Sequence, residues 1–373
     1  MAKQQFLPRL ESVRGIAALT VVSHHVSGQF SEATATGFDA ISLQTLRLFS
    51  NGTGAVVAFF VLSGFVLARS LEANPDPIRY FRNRFFRLFP TAVAVVALFS
   101  VLHLLFGVYV GYEGDFSPIN VLLNMLMIRT DINAVMWSLK VECFATPLII
   151  FCAWLVRRNE APWLWAIVAA LFGLSFVGQY RDALGDASNL SPLYAFVVGV
   201  LANHHGKRAV DISSTLALAI TLLSIVAFCY CGTRNQSGIV LAIECAAAAS
   251  VVVIVAWHSL MIFNLLDFSV VRLYGRISYS FYLLHMLGIL VANRIAGGVG
   301  LSDISPTVSQ VITTVAAVAI ATPAAYLSWR FIEIPFIAFG RKLNNSKDVI
   351  AGDRRWEPAK RGASTTLRRP GKS

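Results

Sequence analysis

Residues 53–70 read TGAVVAFFVLSGFVLARS, and Arg69, near the end of the stretch, is its one charged residue. An uninterrupted apolar run of about 20 residues has the length of an α-helix that crosses the hydrocarbon core of a bilayer. A transmembrane β-barrel would show shorter segments of alternating hydrophobicity instead. The stretch therefore predicts a membrane-spanning helix.

The whole chain has the composition of a protein surrounded by lipid. Hydrophobic residues make up 56% and charged residues 14% of the 373 residues, and the mean hydropathy is +0.64. Soluble domains contain about 25% charged residues. We predict an all-α polytopic membrane protein with ten transmembrane helices. The predicted spans are 13–31, 53–70, 91–111, 137–156, 163–178, 190–204, 214–231, 238–257, 277–296 and 308–329.

Lysine and arginine residues are distributed unevenly between the two sides of these spans. With the N terminus in the cytoplasm, 25 of the 31 basic residues lie on the cytoplasmic side and 5 on the other. Because cytoplasmic loops carry the excess of Lys and Arg, both termini are predicted to be cytoplasmic. The net charge of +11 thus follows the membrane, and no nucleic-acid partner is expected.

The chain divides into two predicted segments. Residues 1–339 form a membrane-embedded domain, and residues 340–373 form a basic cytoplasmic tail whose composition predicts disorder. The first apolar run carries Arg14 and lacks a cleavage site of small residues, so we do not interpret it as a signal peptide. The cysteines follow no zinc-ligand spacing, so they are interpreted as small apolar residues and no metal is expected. They are Cys143, Cys152, Cys229, Cys231 and Cys245.

The first predicted span carries ionisable side chains, which are costly within a membrane and usually functional. Arg14 and His25 are eleven residues apart, so they share one helix face, roughly 16 Å apart along the axis. His24 points about 100° away from His25. We interpret His25 as a general base for a hydroxyl, because imidazole exchanges protons near neutral pH. The alternative is a polar helix face buried against its neighbours.

Glu142 lies about a turn and a half inside the outer end of the fourth predicted span. At that depth it would be level with His25, where a carboxylate can orient an imidazole and stabilise its protonated form. The alternative is a pair with Lys140. Residues two apart face opposite sides of a helix, which disfavours that pair unless the helix is broken there.

Arg84 and Arg87 lie three residues apart in a basic segment on the predicted cytoplasmic side. On a helix they would face the same way and could hold phosphates with forked hydrogen bonds. The alternative is that they serve only to fix the topology. An arginine-lined mouth with a histidine deeper in the membrane suits a donor such as a coenzyme A thioester, whose phosphates stay outside the bilayer.

Six motifs occur in order along residues 10–336, and with them the chain resembles the acyltransferase 3 family of bacterial membrane O-acyltransferases. The chain departs from the usual family pattern at Glu11, where Asp is frequent, and at Cys143 and Phe144, where a Phe-Tyr pair is usual. The motifs are residues 10–19 with His25, 59–65, 84–90, 137–139 with Glu142, 278–285 and 330–336.

The resemblance implies an enzyme of the bacterial inner membrane. Its donor would be acetyl-CoA or a related acyl-CoA from the cytoplasm, and its acceptor a hydroxyl of a glycan or lipid-linked glycan. His25 and Arg14 would be essential, with Glu142 as a third catalytic residue, and Arg84 and Arg87 would serve the donor. Weaker expectations of substrate contact fall on Trp137, Ser138, Tyr279 and His285, and a buried core histidine is the alternative for the last.

Several questions stay open at the level of sequence. A transporter or flippase of a lipid-linked glycan would also use buried His and Glu residues for proton coupling, although the chain shows no repeated halves. The acceptor could be O-antigen, capsule, exopolysaccharide or a nodulation-type lipochitooligosaccharide. Direct attack by the hydroxyl is preferred over a covalent acyl-histidine. The oligomeric state is open.

Overall fold

The computed structural model describes residues 8–30, 35–111, 114–175, 192–235, 237–298 and 305–353. Within these ranges the chain is helical, and its β pairing is limited to an isolated bridge between Val110 and Asn133. The helices are α1 Pro8–Ser27, α2 Phe38–Leu48, α3 Gly52–Ala73, α4 Pro77–Phe106, α5 Pro118–Met125, α6 Trp137–Arg157, α7 Pro162–Ser175, α8 Leu193–Gly206, α9 Ser214–Cys231, α10 Gly238–Trp257, α11 Ser269–Gly298, α12 Pro306–Ser328 and α13 Ile334–Asp353.

Seven helical stretches are long and apolar enough to cross a membrane, which confirms the all-α, multi-pass architecture. Three further predicted spans are also helices. Of these, α1 has the length of a span but carries charged and polar side chains, whereas α7 and α8 have 14 residues each. The number of spans and the side of each terminus stay predictions. The predicted outer loop between α7 and α8 lies outside the described residues.

Local sequence signals set the ends of α3 and α4. Asn51 precedes α3, and its side-chain oxygen accepts a hydrogen bond from the Gly54 nitrogen at 2.8 Å. Asp76 caps α4 in the same way at Ile78, and Pro77 occupies the first turn, where no backbone donor is needed. Gly107 ends α4 with φ 63°, a left-handed conformation that glycine adopts without strain.

Close packing between small residues fixes the helices that surround the site. A Cβ atom at Gly15 on α1 would come within 2.6 Å of the Gly275 nitrogen on α11, so the two backbones touch. Gly64 on α3 packs in the same way against the backbone of α8 at Phe196. In lipid, such close approaches favour helix association through van der Waals contact. They fix the register of α1 against α11 and of α3 against α8.

The C-terminal helix continues beyond the predicted membrane domain. A π-helical turn, Trp329–Glu333, joins α12 to α13. Helix α13 runs to Asp353 and docks on α4, where the Arg82 guanidinium donates to the Asn344 side chain at 2.7 Å. The boundary expected at residue 339 therefore lies inside a helix, and the rest of the predicted tail, residues 354–373, lies outside the described residues.

Candidate functional site

A large polar cavity lies among α1, α3, α4, α11, the π-helical turn and α13. Its volume is about 520 Å³, within the range of small-molecule sites. It lies at the end of α1 that is predicted to be cytoplasmic. Glu11 and Glu333 are the acidic residues of its wall. Its basic residues are Arg14, Arg69, Arg84, Arg87, Arg276 and Arg341.

Arg84 and Glu142 form a buried ion pair at the inner end of this cavity. The exposed fraction of the Arg84 side chain is 9% and that of Glu142 is 17%. The Ser63 hydroxyl also donates to the Glu142 carboxylate, at 3.3 Å. The Nε atom of Arg84 is buried and has no hydrogen-bond partner among the described residues. Arg84 thus carries one donor that is unsatisfied within the described part of the chain.

This pairing differs from the expectation that Glu142 would orient the imidazole of His25. Glu142 faces α4 and α3, and a guanidinium attracts a buried carboxylate more strongly than a neutral ring does. Lys140 instead donates to the Ile128 carbonyl at 2.9 Å. Glu142 therefore contacts Arg84 and shares a pocket with Arg14, rather than lying against His25.

A smaller pocket of about 40 Å³, the passage, lies next to the cavity, between Arg14 of α1 and residues of α3, α6 and α11. Arg14 lines both spaces and therefore stands at their junction. Tyr279 lines the passage, and its hydroxyl donates to the Leu88 carbonyl at 2.6 Å. Trp137 lies one layer further out, with its ring 6.3 Å from that of Phe60, a residue of the passage wall.

Two hydroxyl groups line the passage close to its far end. The Ser138 hydroxyl lies 2.9 Å from that of Tyr282, which itself lies 3.1 Å from the Val135 carbonyl. The ring of Tyr282 lies 5.7 Å from that of His285. Tyr282 therefore connects the passage with the histidines, and its signal in the sequence was its place in the motif 278–285.

Three histidines meet beyond the passage. The rings of His25 and His285 lie 5.3 Å apart with an angle of 31° between their planes, and His24 lies 5.6 Å from His25. His25 is half-buried and His285 is fully buried, whereas His24 is exposed and its Nδ1 atom lies 2.9 Å from the Ser50 carbonyl. His25, which the sequence predicts as the general base, therefore lies beside His285, for which the sequence predicts only a weaker role in substrate contact.

The structure thus connects most of the residues that the sequence singled out. Arg14, Arg84 and Arg87 line the cavity, and Ser138, Tyr279 and Glu142 line the passage. Glu333 was missed because it lies in the π-helical turn, although the motif 330–336 contains it. It is 3% exposed and accepts a hydrogen bond from Ser280 at 3.1 Å. In the described ranges no three His, Cys, Asp or Glu side chains converge as a metal ion requires.

Comparison with known proteins identifies the family of the chain. A family model described as an acyltransferase domain matches residues 7–327. The acyltransferase MdmB of Streptomyces mycarofaciens is 27% identical over 367 residues, which cover 88% of this chain and 91% of that protein. Protein 2 in the picA locus of Rhizobium radiobacter is 32% identical over 96 residues, 24% of this chain and 42% of that protein. No solved structure matches the chain.

Proposed function

The chain belongs to the acyltransferase domain family, and from that premise we propose that it transfers an acetyl group from cytoplasmic acetyl-CoA to a hydroxyl of a glycan or lipid-linked glycan. One observation carries the proposal. An arginine-lined cavity and the passage share Arg14, and Tyr282 in the wall of the passage contacts the ring of His285, which lies beside His25. A donor with a charged head and a reactive end on a long arm matches this shape.

The phosphates of the donor occupy the large cavity in this proposal. Arginine binds phosphate through two parallel hydrogen bonds, and six arginines surround the space. Residues that serve topology alone would lie exposed in the loops, whereas Arg84 is 7% exposed. Its burial, its pairing with Glu142 and its place in the cavity wall support a role in binding.

The acyl end of the donor points from the cavity toward the passage, which at about 40 Å³ holds only a few water molecules and has to widen to admit it. Arg14, at the junction, is positioned to contact the donor between its phosphates and its thioester. Ser138 and Tyr282 supply hydroxyls further along, toward His25. Glu142 keeps the Arg84 side chain in place at the wall, which supports an indirect role for this carboxylate.

His25 acts as the general base on the acceptor. It removes the hydroxyl proton while the acceptor oxygen attacks the thioester carbon, so that the new C–O bond forms as the C–S bond breaks. The leaving thiolate then takes the proton from the imidazolium, and free coenzyme A departs as the thiol. Direct attack needs no covalent intermediate. An acyl-histidine that accumulates in the absence of acceptor would replace this route.

The test uses purified protein in lipid vesicles that contain lipid-linked glycans from the source cells, with radiolabelled acetyl-CoA outside. The proposal expects label in the glycan fraction and one free thiol for each acetyl group transferred. A protein that moves the glycans across the bilayer without acetyl-CoA and without acetylating them would be a flippase instead. Mass spectrometry of the labelled glycan identifies the acceptor hydroxyl.

A further inference from the structure

His285 has one nitrogen that is satisfied and one that is not. Its Nδ1 atom lies 2.6 Å from the Tyr282 carbonyl oxygen. A carbonyl only accepts hydrogen bonds, so Nδ1 carries the proton and Nε2 presents a lone pair. The side chain is 0% exposed, and Nε2 finds no hydrogen-bond partner in the described part of the chain. A buried acceptor without a partner is costly and calls for an explanation.

The nearest aromatic neighbour on another helix supplies that explanation. The ring of His25, on α1, lies 5.3 Å from the ring of His285, on α11. The two rings form no hydrogen bond in this structure, but at this separation a rotation of the His25 ring can bring one of its nitrogens to Nε2. His24 also contacts His25, but it lies on the same helix and faces the Ser50 carbonyl.

During the reaction His25 needs a hydrogen-bond acceptor for one of its nitrogens. When His25 takes a proton from the acceptor hydroxyl, both of its nitrogens become donors. One of them faces the substrate, and the other requires a partner in a region of low dielectric. The carboxylate expected from the sequence is unsuited to this task, because Glu142 is paired with Arg84.

We propose that His285 is a positioning residue, whose Nε2 atom accepts the second N–H of His25 as the imidazolium forms. This inference rests on the proposed function. Burial distinguishes the two roles. Half-buried His25 can reach the hydroxyl of the acceptor substrate, whereas fully buried His285 cannot. The Tyr282 carbonyl fixes the tautomer of His285, as a carboxylate fixes the tautomer of the histidine in a catalytic triad.

Neutral His25 already carries this N–H, and its hydrogen bond to Nε2 strengthens when the ring becomes charged, so it stabilises the transition state more than the ground state. Such an interaction raises kcat and leaves the binding of the donor unchanged. This pattern separates the proposed role from a structural one, because a loosened core would change donor binding and protein stability as well.

The test compares three substitutions in vesicles with radiolabelled acetyl-CoA and endogenous lipid-linked glycans. His285→Phe keeps the ring but removes the acceptor, and should lower kcat about 10- to 100-fold, the loss expected for one charge-assisted hydrogen bond, without changing the KM for acetyl-CoA. His285→Gln presents an amide oxygen and should recover part of that loss. Should the Phe variant fail to accumulate, His285→Leu against His285→Gln gives the same contrast.

Tyr194→Phe is the matched control. The Tyr194 hydroxyl is also buried without a hydrogen-bond partner among the described residues, but Tyr194 does not line the passage, so its removal should leave kcat unchanged. Normal kcat in His285→Phe, or a Gln variant no better than Leu, overturns the inference while wild-type transfer upholds the proposed function. Absence of transfer by the wild-type protein would overturn the proposed function, and this inference with it.

Discussion

Removal of the Arg84 guanidinium has two consequences that can be measured separately. Arg84→Ala deletes a proposed phosphate contact and also leaves Glu142 as a buried carboxylate without its partner. Loss of a charge-assisted hydrogen bond costs about 1.5–3 kcal/mol, so the KM for acetyl-CoA should rise about 10- to 100-fold. Removal of one member of a buried ion pair destabilises a protein by about 3–5 kcal/mol.

A double variant distinguishes the two effects. Arg84→Ala with Glu142→Gln removes the orphaned charge, so thermal stability in detergent should recover while the KM for acetyl-CoA stays high. Arg87 lines the same cavity and is only half-buried, so Arg87→Ala should raise KM with a smaller loss of stability. Arg84→Lys should lower the KM for acetyl-CoA only part of the way back to the wild-type value, because an ammonium group cannot form the two parallel hydrogen bonds of a guanidinium.

The assay measures acetyl transfer at a series of acetyl-CoA concentrations, with each variant at equal abundance in vesicles. An unchanged KM in both Arg84→Ala and Arg87→Ala would refute the donor role and leave these arginines as determinants of topology. A double variant that is no more stable than Arg84→Ala would refute the energetic role of the ion pair with Glu142.

Three further predictions concern the fold. A reporter fused between α8 and α9 should report the cytoplasm, and one fused between α7 and α8 the outside; a cytoplasmic signal from the second would contradict the ten-span topology. Gly64→Ala should reduce the amount of inserted protein, because the added Cβ meets the backbone of α8. Gly173→Ala is the control and should not reduce it, because a Cβ at that position meets open space. Equal abundance of the two variants would argue against close packing of α3 on α8. Hydrogen bonds from two arginines, first Arg9, lower the pKa of Asp267 to about 2. Because the folded pKa is depressed, this contribution to stability is present above the unfolded value of about 3.9 and is lost as the pH falls toward 2. Asp267→Asn should therefore lower the thermal stability at pH 7 and approach the wild-type value near pH 2; a constant difference would exclude the ionised carboxylate as the cause.

Helical periodicity was sufficient to predict which residues share a face. Arg14 and His25 lie on one side of α1, the first at the junction of the cavity and the passage and the second at the histidine cluster. Apolar runs likewise predicted the helices, including α7 and α8, which are too short to qualify by length. In both cases the information is local, because one helix determines the pattern.

Contacts between helices were less predictable, because depth in the membrane does not specify which neighbour a side chain meets. Glu142 was expected beside His25 but lies against Arg84, since the orientation of α6 depends on its packing with α3 and α4. The free nitrogen of His285 has no signature in the sequence. It depends on a carbonyl one turn earlier and on the distance between α1 and α11.

The central claim is that His25 removes the proton from the acceptor hydroxyl, and its neighbour His24 provides the matched control. The two residues are adjacent in the sequence, but His24 is exposed and points its Nδ1 at the Ser50 carbonyl. The measurement is acetyl transfer to the endogenous glycan by His25→Ala and His24→Ala, at equal abundance in vesicles. His25→Ala should lose transfer while still inserting stably, and His24→Ala should keep substantial activity. Near-normal transfer by His25→Ala would contradict the central claim.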